Sequence, residues 1–548
     1  MFFSRLISIP LKPKYFSQPK TKRRKSIHQF LKKSFAAFSA PTTNVYIHTD
    51  KVTKQKFILN LDPSTNRLIQ KVKCTPVSDL NAIVENLQRD QREYWSSISL
   101  LDRVSICRKA FEHAFDQKQD ELAILISKEM GKTLQESRDE VSDIIDMKSE
   151  TLELIRKSNE TVNFNSNATT AVRMRDPLGI VAVLSPWNFP AGEPLLHILP
   201  ALVAGNAVML KPSELTPLTG SYIVERLLDY SFSYDDKWRK LPINIVQGDK
   251  EIGQAIVQHP HIHSICMTGS SAVGKKIIQS SSLKHIKRLI LELGGKDPMI
   301  VFQDADLEKA AKDAVFGSTY NAGQVCCSIE RIYVEKSIKS EFEQLCQQEC
   351  EKINAGPWSN ANACIGPMVS SLQMYRVKKQ VEDAVEKGAQ ILCTGPILEP
   401  LNKPQDDESF SSSNGNYYPA TLLTNLDNSM KITQKETFGP VIAVYEFDGS
   451  EESAIQNAND SEYGLSASVY SSDIVKAARV ASQIRAGQVV LNSWVMSGDV
   501  STPLECPWVG HKDSGFGYHS GVEGYNQFSV PKSIIMSDDT SKDTLKEE

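Results

Sequence analysis

A cysteine pair near the middle of the chain has a setting that suits nucleophilic catalysis. The segment reads Asn321-Ala-Gly-Gln-Val-Cys326-Cys327-Ser328, and Gly323 allows a close backbone turn just before the thiol of Cys326. A nucleophilic cysteine needs a thiolate and a free backbone amide that can face an oxyanion. Two buried, inert cysteines are the alternative interpretation, because most cysteines are of that kind.

A carboxylate at the end of an apolar run is the second group with possible chemistry. It lies in Leu291-Glu292-Leu293-Gly294-Gly295-Lys296. Burial of a carboxylate is costly unless it has a function or a partner, and it raises the pKa toward the range that suits a general base near neutral pH. Glu292 is therefore predicted to be a general base, with a structural ion pair to Lys296 as the alternative.

A glycine-rich segment after a predicted strand indicates an anion site. Gly269-Ser-Ser-Ala-Val-Gly274-Lys275-Lys276 nearly matches the P-loop pattern, but Lys276 replaces the hydroxyl residue that holds magnesium. What remains is a glycine turn that opens a helix, which is a general site for a pyrophosphate. A P-loop-like nucleotide-binding protein stays an alternative function.

Two polar groups follow other predicted strands. Asn188 lies in Ser185-Pro186-Trp187-Asn188-Phe189-Pro190, where its amide could donate a hydrogen bond to a developing negative charge. The segment from Lys211 to Glu214 ends the next strand, where α/β folds place their ligands.

Metal binding is not predicted. His259, His261 and His263 alternate along one segment, but no cysteine or carboxylate cluster completes a site. Cys346 and Cys350 are spaced to lie on one face of a helix, and we expect them to be buried as small hydrophobic residues.

The elements that must position these residues belong to two α/β series. Apolar runs predict strands that are buried on both faces, as in a parallel sheet, and helical stretches lie between them. Thr161–Asp176 predicts an exposed hairpin, and Asp406–Asn416 a surface loop. The predicted strands of the first series are Gly179–Trp187, Ala207–Lys211, Ile243–Gln247, Ser264–Thr268 and Leu289–Leu293.

Composition narrows the class of protein. The chain has 548 residues, of which 41% are hydrophobic and 23% charged, so it is globular with about two to four domains. Ten cysteines without a CxxC pair predict reduced thiols. A net charge of −4 argues against a dedicated nucleic-acid binder. No segment has the roughly 20 apolar residues that a membrane span requires.

The charge is concentrated at the N-terminus. Ten basic residues and no acidic residue precede Asp50, which leaves the rest of the chain with a net charge of −14. Residues 1–44 are predicted to be a transit peptide or disordered leader for import into mitochondria, with the plastid or the cytoplasm as alternatives. A basic tail that touches RNA or anionic lipid is the competing interpretation.

In their order along the chain, these segments resemble the aldehyde dehydrogenase superfamily from about Val45 to Ser533. The resemblance implies a Rossmann-like NAD-binding domain (45–160 and 177–293), a second α/β catalytic domain (294–510), a small β-hairpin oligomerisation element (161–176 and 520–536) and a polar tail (537–548). The matching motifs are PWNFP at Pro186, KPSE at Lys211, TGS at Gly269, LELGGK at Glu292, GQxC at Cys326, ETFGPV at Glu436 and KDSGFG at Lys512.

The resemblance also implies a reaction and the residues that perform it. Cys326 would attack an aldehyde to form a thiohemiacetal, Asn188 and the amide of Cys326 would hold the oxyanion, and Glu292 would activate water to hydrolyse the thioester. NAD would be the cofactor, with NADP possible, since Glu214 would accept a bond from a ribose 2′-hydroxyl and repel a 2′-phosphate. The implied cofactor residues are Ser185, Pro186, Trp187, Lys211, Glu214, Gly248, Gly269, Ser270, Gly274, Leu293, Glu436 and Phe438.

Several points stay open at this stage. The substrate is an unspecified small aldehyde, and a homodimer or homotetramer is expected through the hairpin and a C-terminal strand at Tyr525–Ile535. Trp494 and the segment Val509–His519 depart from the superfamily pattern. A CoA-acylating enzyme and a catalytically retired member of the superfamily remain alternatives.

Overall fold

The computed structural model describes residues 47–166, 169–398, 415–499 and 502–537. The predicted leader (1–44), nearly all of the predicted surface loop Asp406–Asn416, and the polar tail beyond residue 537 lie outside these ranges.

The first half of the chain alternates strands and helices after a small N-terminal sheet. Its strands are β1 (Ile47–Thr49), β2 (Lys56–Asp62), β3 (Arg67–Lys73), β4 (Val162–Ser166), β5 (Thr169–Pro177), β6 (Ile180–Leu184), β7 (Ala207–Lys211), β8 (Phe232–Tyr234), β9 (Lys237–Arg239), β10 (Ile243–Ile245), β11 (Ser264–Thr268) and β12 (Arg288–Glu292). Its helices are α1 (Leu80–Glu93), α2 (Leu100–Phe115), α3 (Gln119–Met130), α4 (Leu134–Asp146), α5 (Leu152–Ser158), α6 (Gly192–Val203), α7 (Pro217–Asp229), α8 (Lys250–Gln258) and α9 (Ser271–Ser281).

The second half repeats the alternation and ends in short strands. Its strands are β13 (Asp297–Val301), β14 (Ile329–Glu335), β15 (Gln390–Thr394), β16 (Thr421–Thr424), β17 (Val441–Phe447), β18 (Ser466–Tyr470), β19 (Gln488–Leu491), β20 (Trp508–Val509), β21 (Gly515–Phe516), β22 (Tyr518–His519) and β23 (Ser529–Ser537). Its helices are α10 (Leu307–Thr319), α11 (Lys339–Cys350), α12 (Ser371–Glu386), α13 (Lys431–Gln434), α14 (Glu451–Asn459), α15 (Ile474–Ala481) and α16 (Gly521–Tyr525).

A six-stranded sheet forms the first α/β unit, in the order β10-β7-β6-β11-β12-β21. Its first five strands are parallel, and β6 and β11 are neighbours although β7 and β10 come between them in sequence. This is the doubly wound arrangement in which the strand order reverses between β6 and β11, where α/β proteins bind ligands beyond the carboxyl ends of the strands. The predicted Rossmann-like fold is confirmed.

A seven-stranded sheet forms the second α/β unit, in the order β15-β16-β17-β14-β13-β18-β19. All five residues of β13 and of β18 are buried, as expected for interior strands of a sheet that is covered on both faces. The edge strand β15 pairs antiparallel with β16, so the sheet is mixed at this edge.

The predicted hairpin is present as β4 and β5, and β23 pairs antiparallel with β5 to complete a three-stranded sheet. Near the C-terminus, Gly515 and Phe516 form β21 and extend the first sheet antiparallel to β12. One sequence prediction in this region was wrong in detail. Tyr525–Phe528 was assigned to the C-terminal strand, but these residues are helical, and the strand begins at Ser529.

Candidate active site

A cleft of about 1550 Å³ runs along the carboxyl ends of β6, β7, β11 and β12 toward the second sheet. It exceeds the roughly 300–1,000 Å³ of most small-molecule pockets, so it has room for an extended ligand and a second, smaller one. The residues predicted to do chemistry meet at one end of it. The cleft is lined by Ser185, Pro186, Trp187, Asn188, Lys211, Glu214, Gly269, Ser270, Glu292, Leu293, Cys326, Glu436 and Phe438, among others.

The loop before Cys326 adopts an unusual backbone conformation. Asn321, Ala322 and Gly323 all have left-handed dihedrals, with φ of 52°, 55° and 69°. Such angles are costly for residues with a side chain, so the surrounding contacts must impose them. A Cβ atom on Gly323 would lie 2.2 Å from the carbonyl oxygen of Gly439, so the backbone at 439 fits against this turn only because residue 323 is glycine.

Asn321 ties this loop to the first half of the chain. The backbone amide of Asn321 donates to Glu136 Oε1 over 2.7 Å. The other oxygen of Glu136 accepts from the amide of Thr133 at the N-terminus of α4, where the two residues form a capping box. One carboxylate therefore stabilises both a helix end and the loop that carries Cys326.

Asn188 lies beside the same loop. Its Nδ2 donates to the carbonyl of Gln324 over 3.1 Å, and its own carbonyl accepts from Asn321 Nδ2 over 3.2 Å. An amide nitrogen carries two donor hydrogens, so Asn188 retains one for a further acceptor. The structure thus brings Asn188 and the Cys326 loop together, as the sequence predicted.

Cys326 is partly buried in the wall of the cleft. Its pKa is held well above the usual value by a hydrogen bond to Cys327, by burial and by the negative charge of Glu292. Cys327 is fully buried in the core of the second unit. The two neighbouring cysteines therefore differ in access, and only Cys326 lines the cleft.

Glu292 is 4% exposed and lies within hydrogen-bonding reach of Cys326. Its Oε1 accepts from the indole of Trp508 over 3.4 Å, and its Oε2 has no partner among the described residues. Burial and the nearby Glu193 raise its pKa well above that of an ordinary glutamate. The alternative ion pair with Lys296 is absent from the described residues, because Lys296 binds Glu330 over 2.6 Å.

Predicted cofactor residues also line the cleft after β7 and β11. Lys211 Nζ lies 3.6 Å from Glu214 Oε2, and both residues face the cleft. Gly269 and Ser270 line the cleft directly before α9, and the Ser270 side chain does not cap the first amides of this helix. Ser185 Oγ is buried in the cleft wall and has no hydrogen-bond partner among the described residues.

Closer to Cys326, Glu436 and Phe438 approach from the second unit. Glu436 Oε1 accepts from the amide of Gly295 over 3.0 Å, and a Cβ on Gly294 would lie 2.6 Å from the same oxygen. The ring of Phe438 packs edge-on against Trp187 with centroids 5.3 Å apart. Burial, together with the charge of Glu330, raises the pKa of Glu436 to about 8.

Two predicted cofactor residues do not line the cleft. A Cβ on Gly274 would lie 2.7 Å from the side chain of Leu293, so this glycine lets α9 pack closely against Leu293, which itself lines the cleft. Gly248 precedes α8 with φ of 146°, and a Cβ there would meet Ile252 at 2.8 Å. Both glycines therefore serve close packing in the wall of the cleft.

One wall of the cleft was missed from the sequence. Helix α12 contributes Gln373, Arg376, Lys379 and Gln380. Gln373 Nε2 donates to the carbonyl of Phe438 over 3.1 Å, and Gln380 Nε2 donates to that of Glu436 over 2.8 Å. The helix reads as an ordinary amphipathic element, and only its position in the fold shows that its polar face meets the cleft.

The remaining sequence candidates have other surroundings. His259 bonds to Asn81 over 2.9 Å and His263 accepts from the amide of Ile180, and the described residues contain no cluster of three possible metal ligands. Cys346 and Cys350 are buried on α11, as predicted. Trp494 is buried beneath the loop that carries Cys326, where its indole donates to the carbonyl of Cys327 over 2.8 Å. No helix in the described ranges is both long and apolar enough to cross a bilayer.

A doubly wound sheet with a long cleft at its switch point is the arrangement of an α/β enzyme that uses a cofactor. The aldehyde dehydrogenase family matches residues 49–534, and the chain belongs to this family. It is therefore an oxidoreductase that converts an aldehyde to a carboxylate.

Solved structures agree with this assignment. Betaine aldehyde dehydrogenase from Staphylococcus aureus in complex with NAD+ is 30% identical, with a TM-score of 0.79 over 95% of this chain and 99% of that one. An NADP-dependent enzyme from E. coli is 27% identical, with a TM-score of 0.77 over 88% of this chain and 95% of that one. An aldehyde dehydrogenase from Brucella melitensis biovar abortus 2308 is 27% identical, with a TM-score of 0.77 over 88% and 94%.

Proposed function

We propose that the protein oxidises an aldehyde with NAD+ through a covalent thioester on Cys326, with Glu292 as the general base. The observation that carries this proposal is the meeting of Cys326, Glu292 and Asn188 at one end of the cleft. Covalent catalysis divides the oxidation into two easier steps and fixes the geometry of both.

The residues of the cleft fit a dinucleotide. Ser185 Oγ is an orphaned polar atom in its wall, the amides at the start of α9 suit a pyrophosphate, and Glu214 can accept a hydrogen bond from a ribose 2′-hydroxyl. Glu436 and Phe438 would hold the other ribose. When bound, NAD+ supplies the two-electron acceptor. Glu214 favours NAD+ over NADP+, because a carboxylate repels a 2′-phosphate; the S. aureus relative in complex with NAD+ is consistent with this choice.

The first step belongs to Cys326 and Asn188. The thiol loses its proton to solvent and its sulfur attacks the aldehyde carbon, which gives a thiohemiacetal. The free hydrogen of Asn188 Nδ2 and the backbone amide of Cys326 would donate to the developing oxyanion. Because the loop at 321–323 is held by Glu136 and Gly439, these donors are preorganised before the substrate arrives.

The second step belongs to Glu292. After oxidation to the thioester, Glu292 in its ionised form takes a proton from water, and the hydroxide attacks the acyl carbon. The carbon–sulfur bond breaks, which releases the carboxylic acid and restores the cysteine. Trp508 holds one oxygen of Glu292, and the unpartnered Oε2 is the atom available to bind the attacking water.

Paired cysteine variants test this assignment. Cys326→Ala should abolish aldehyde-dependent NADH formation, whereas Cys327→Ala, one residue away, should retain most of it. Glu292→Gln should give one rapid burst of NADH followed by very slow turnover, since the thioester forms but is not hydrolysed. Full activity of Cys326→Ala would refute the proposal.

The rival functions give different results in the same assay. A panel of aldehydes with NAD+ and NADP+ in parallel should produce NADH for at least one aldehyde. Product formation that requires CoA would identify an acylating enzyme, no activity would identify a retired member of the family, and magnesium-dependent ATP turnover would support a P-loop protein. Glu292 favours water as the acyl acceptor.

We also propose that the protein forms a homodimer or a homotetramer through the three-stranded sheet of β4, β5 and β23. Phe164, Ala171 and Ile535 lie opposite one another across this sheet, and Phe164 and Ile535 are 49% and 70% exposed. A row of exposed apolar side chains on a sheet face is typical of an interface. Ile535→Lys should lower the molar mass measured by light scattering.

The basic leader supports a proposal of import into mitochondria. Its residues lie outside the described ranges, so the proposal rests on composition alone. Sequencing the N-terminus of the native protein tests it: a start between about residue 35 and residue 50 agrees with cleavage, and a start at Met1 contradicts it.

A further inference from the structure

A second buried carboxylate, Glu193, lies behind the candidate base. It is in the first turn of α6, and its Oε2 accepts from Thr268 Oγ1 over 3.1 Å. Thr268 and Glu292 are register partners on the parallel strands β11 and β12, so their side chains extend from the same face of the sheet. This arrangement could not be predicted from the sequence, because an acidic residue in the first turn of a helix is common.

No cation offsets this pair of acids among the described residues. The two buried lysines near the catalytic end are bound elsewhere, Lys132 to Glu140 over 2.8 Å and Lys296 to Glu330 over 2.6 Å. Glu140 and Glu436, the other charged groups that act on the pair, are carboxylates as well.

Two histidines near the pair are neutral. His197 follows Glu193 by one turn of α6, and His519 on β22 pairs with Trp508, the residue that donates to Glu292. The imidazole rings lie 5.1 Å apart. Both are buried, which lowers the pKa of His519 to about 4 and that of His197 well below its usual value. Neither ring nitrogen of His197 has a hydrogen-bond partner within the described part of the chain.

Two carboxylates in one buried site that lacks a cation do not ionise together, because each negative charge raises the free energy of the other. Burial raises the pKa of Glu193 to about 7, and burial together with the charge of Glu193 raises the pKa of Glu292 well above its usual value. The Thr268 hydroxyl donates to Glu193 over 3.1 Å, whereas Glu292 accepts from the Trp508 indole over a longer 3.4 Å and its Oε2 has no partner among the described residues. Glu193 therefore takes the negative charge first.

We propose that Glu193 is a positioning residue for Glu292: the two form a buried carboxyl pair that keeps one proton near neutral pH and sets the pH at which the base works. This rests on the proposed role of Glu292. Glu193 ionises first, and its charge keeps the remaining proton on Glu292 until the pH rises further; Glu292 becomes the active base when it gives this proton to solvent. Ionised Glu292 then takes a proton from the attacking water and afterwards returns it to solvent.

The pH profile of deacylation tests the pair. p-Nitrophenyl acetate acylates Cys326 in a burst, and the steady rate that follows reports hydrolysis. In Glu193→Gln, the acid limb of this steady rate should move to lower pH by about one unit or more, since Glu292 then ionises without a neighbouring charge. Glu193→Asp keeps the charge and should restore the wild-type limb, and the KM values for aldehyde and NAD+ should stay within about twofold.

Glu129, a buried carboxylate on α3, provides a matched control. Burial raises the pKa of Glu129 to about 7 as well, but it accepts from the amides of Leu218 and Thr219 at the start of α7. Glu129→Gln should leave the limb in place. If Glu193→Gln does not fold, Thr268→Val removes the donor to Glu193 and should move the limb in the same direction by a smaller amount.

The possible outcomes distinguish a failure of the carboxyl pair from a failure of the proposed function. A steady rate that depends on Cys326 and Glu292 but keeps its acid limb in both Glu193→Gln and Thr268→Val overturns the carboxyl pair alone. A uniform loss of rate at every pH without a shift of the limb also overturns it, because that is the effect of a structural defect. A steady rate that is independent of Cys326 or Glu292 overturns the proposed function itself.

Discussion

Glu330 forms a buried ion pair beside the cleft. Replacing Glu330 should show how much of the site depends on this pair. Its carboxylate binds Lys296 Nζ over 2.6 Å and accepts from the amides of Thr437 and Phe438 over 2.8 and 2.9 Å. The lysine also donates to Thr437 Oγ1 over 2.9 Å. The pair thus fixes the segment that carries Glu436 and Phe438.

The expected cost of Glu330→Leu follows from what it leaves behind. The side chain of Lys296 is fully buried, so the substitution strands an ammonium group without its partner. Removing one member of a buried ion pair costs about 3–5 kcal/mol, and each orphaned amide adds about 1–3 kcal/mol. We therefore expect a loss of at least about 3 kcal/mol in the free energy of unfolding.

The double variant Lys296→Met/Glu330→Leu separates the charge from the hydrogen bonds. Replacing both partners by apolar residues of similar volume removes the stranded charge, so its loss should be smaller than the sum of the two single losses by about 2 kcal/mol or more. The assay is urea unfolding followed by tryptophan fluorescence, with the Kd for NAD+ measured in parallel. The Kd should rise in both single variants.

Two results would refute this reasoning. Single variants within about 1 kcal/mol of the wild type would mean that the pair is not holding the segment. Strictly additive losses in the double variant would mean that the two residues act independently, and that the stranded charge is not the source of the cost.

Three further predictions concern backbone, cofactor and pH. Gly323→Ala should abolish activity, since its Cβ would lie 2.2 Å from the carbonyl of Gly439, whereas Gly388→Ala, also at positive φ but with open space around it, should cost only about 1 kcal/mol of stability and no activity; equal activities of the two variants would contradict this. Glu214→Ser should shift the ratio of kcat/KM values for NADP+ and NAD+ toward NADP+ by about tenfold or more, a change of about 1.4 kcal/mol, and an unchanged ratio would count against a role in the choice of cofactor. The steady rate of hydrolysis should fall as the pH falls through the raised pKa of Glu292, and this fall should begin above the pH range in which an ordinary glutamate titrates. The pH dependence should be absent in Glu292→Gln. An acid limb that persists in that variant belongs to another group.

Sequence reasoning reached the parts of the site that lie in short loops after strands. Asn188 follows β6, Glu214 follows β7, and Cys326 follows a glycine turn. Parallel strands end at the same edge of a sheet, so residues that follow them meet in space even when they are far apart in sequence. The same rule gave the fold class, because strands buried on both faces are apolar at nearly every position.

What the sequence did not reveal depends on long-range packing. Helix α12 and the helix that carries Glu193 have ordinary amphipathic or apolar sequences. Only the fold shows that polar side chains of these helices face the site. Gly274 was singled out because glycine-rich turns suit phosphates, and only the structure shows that its missing side chain also makes room for Leu293. Strand β21 has two residues, too few to show a period, and it forms because an edge of the first sheet was open.

The bond between Asn321 and Glu136 joins residues that are 185 positions apart in the sequence. The loop that carries Cys326 therefore needs a complete α4, and the segment after Glu292 is closed by Ser514, which bonds Leu293 and Gly294. A chain that stops short of Ser514 lacks these bonds, so the site is complete only when the C-terminal part of the chain has docked.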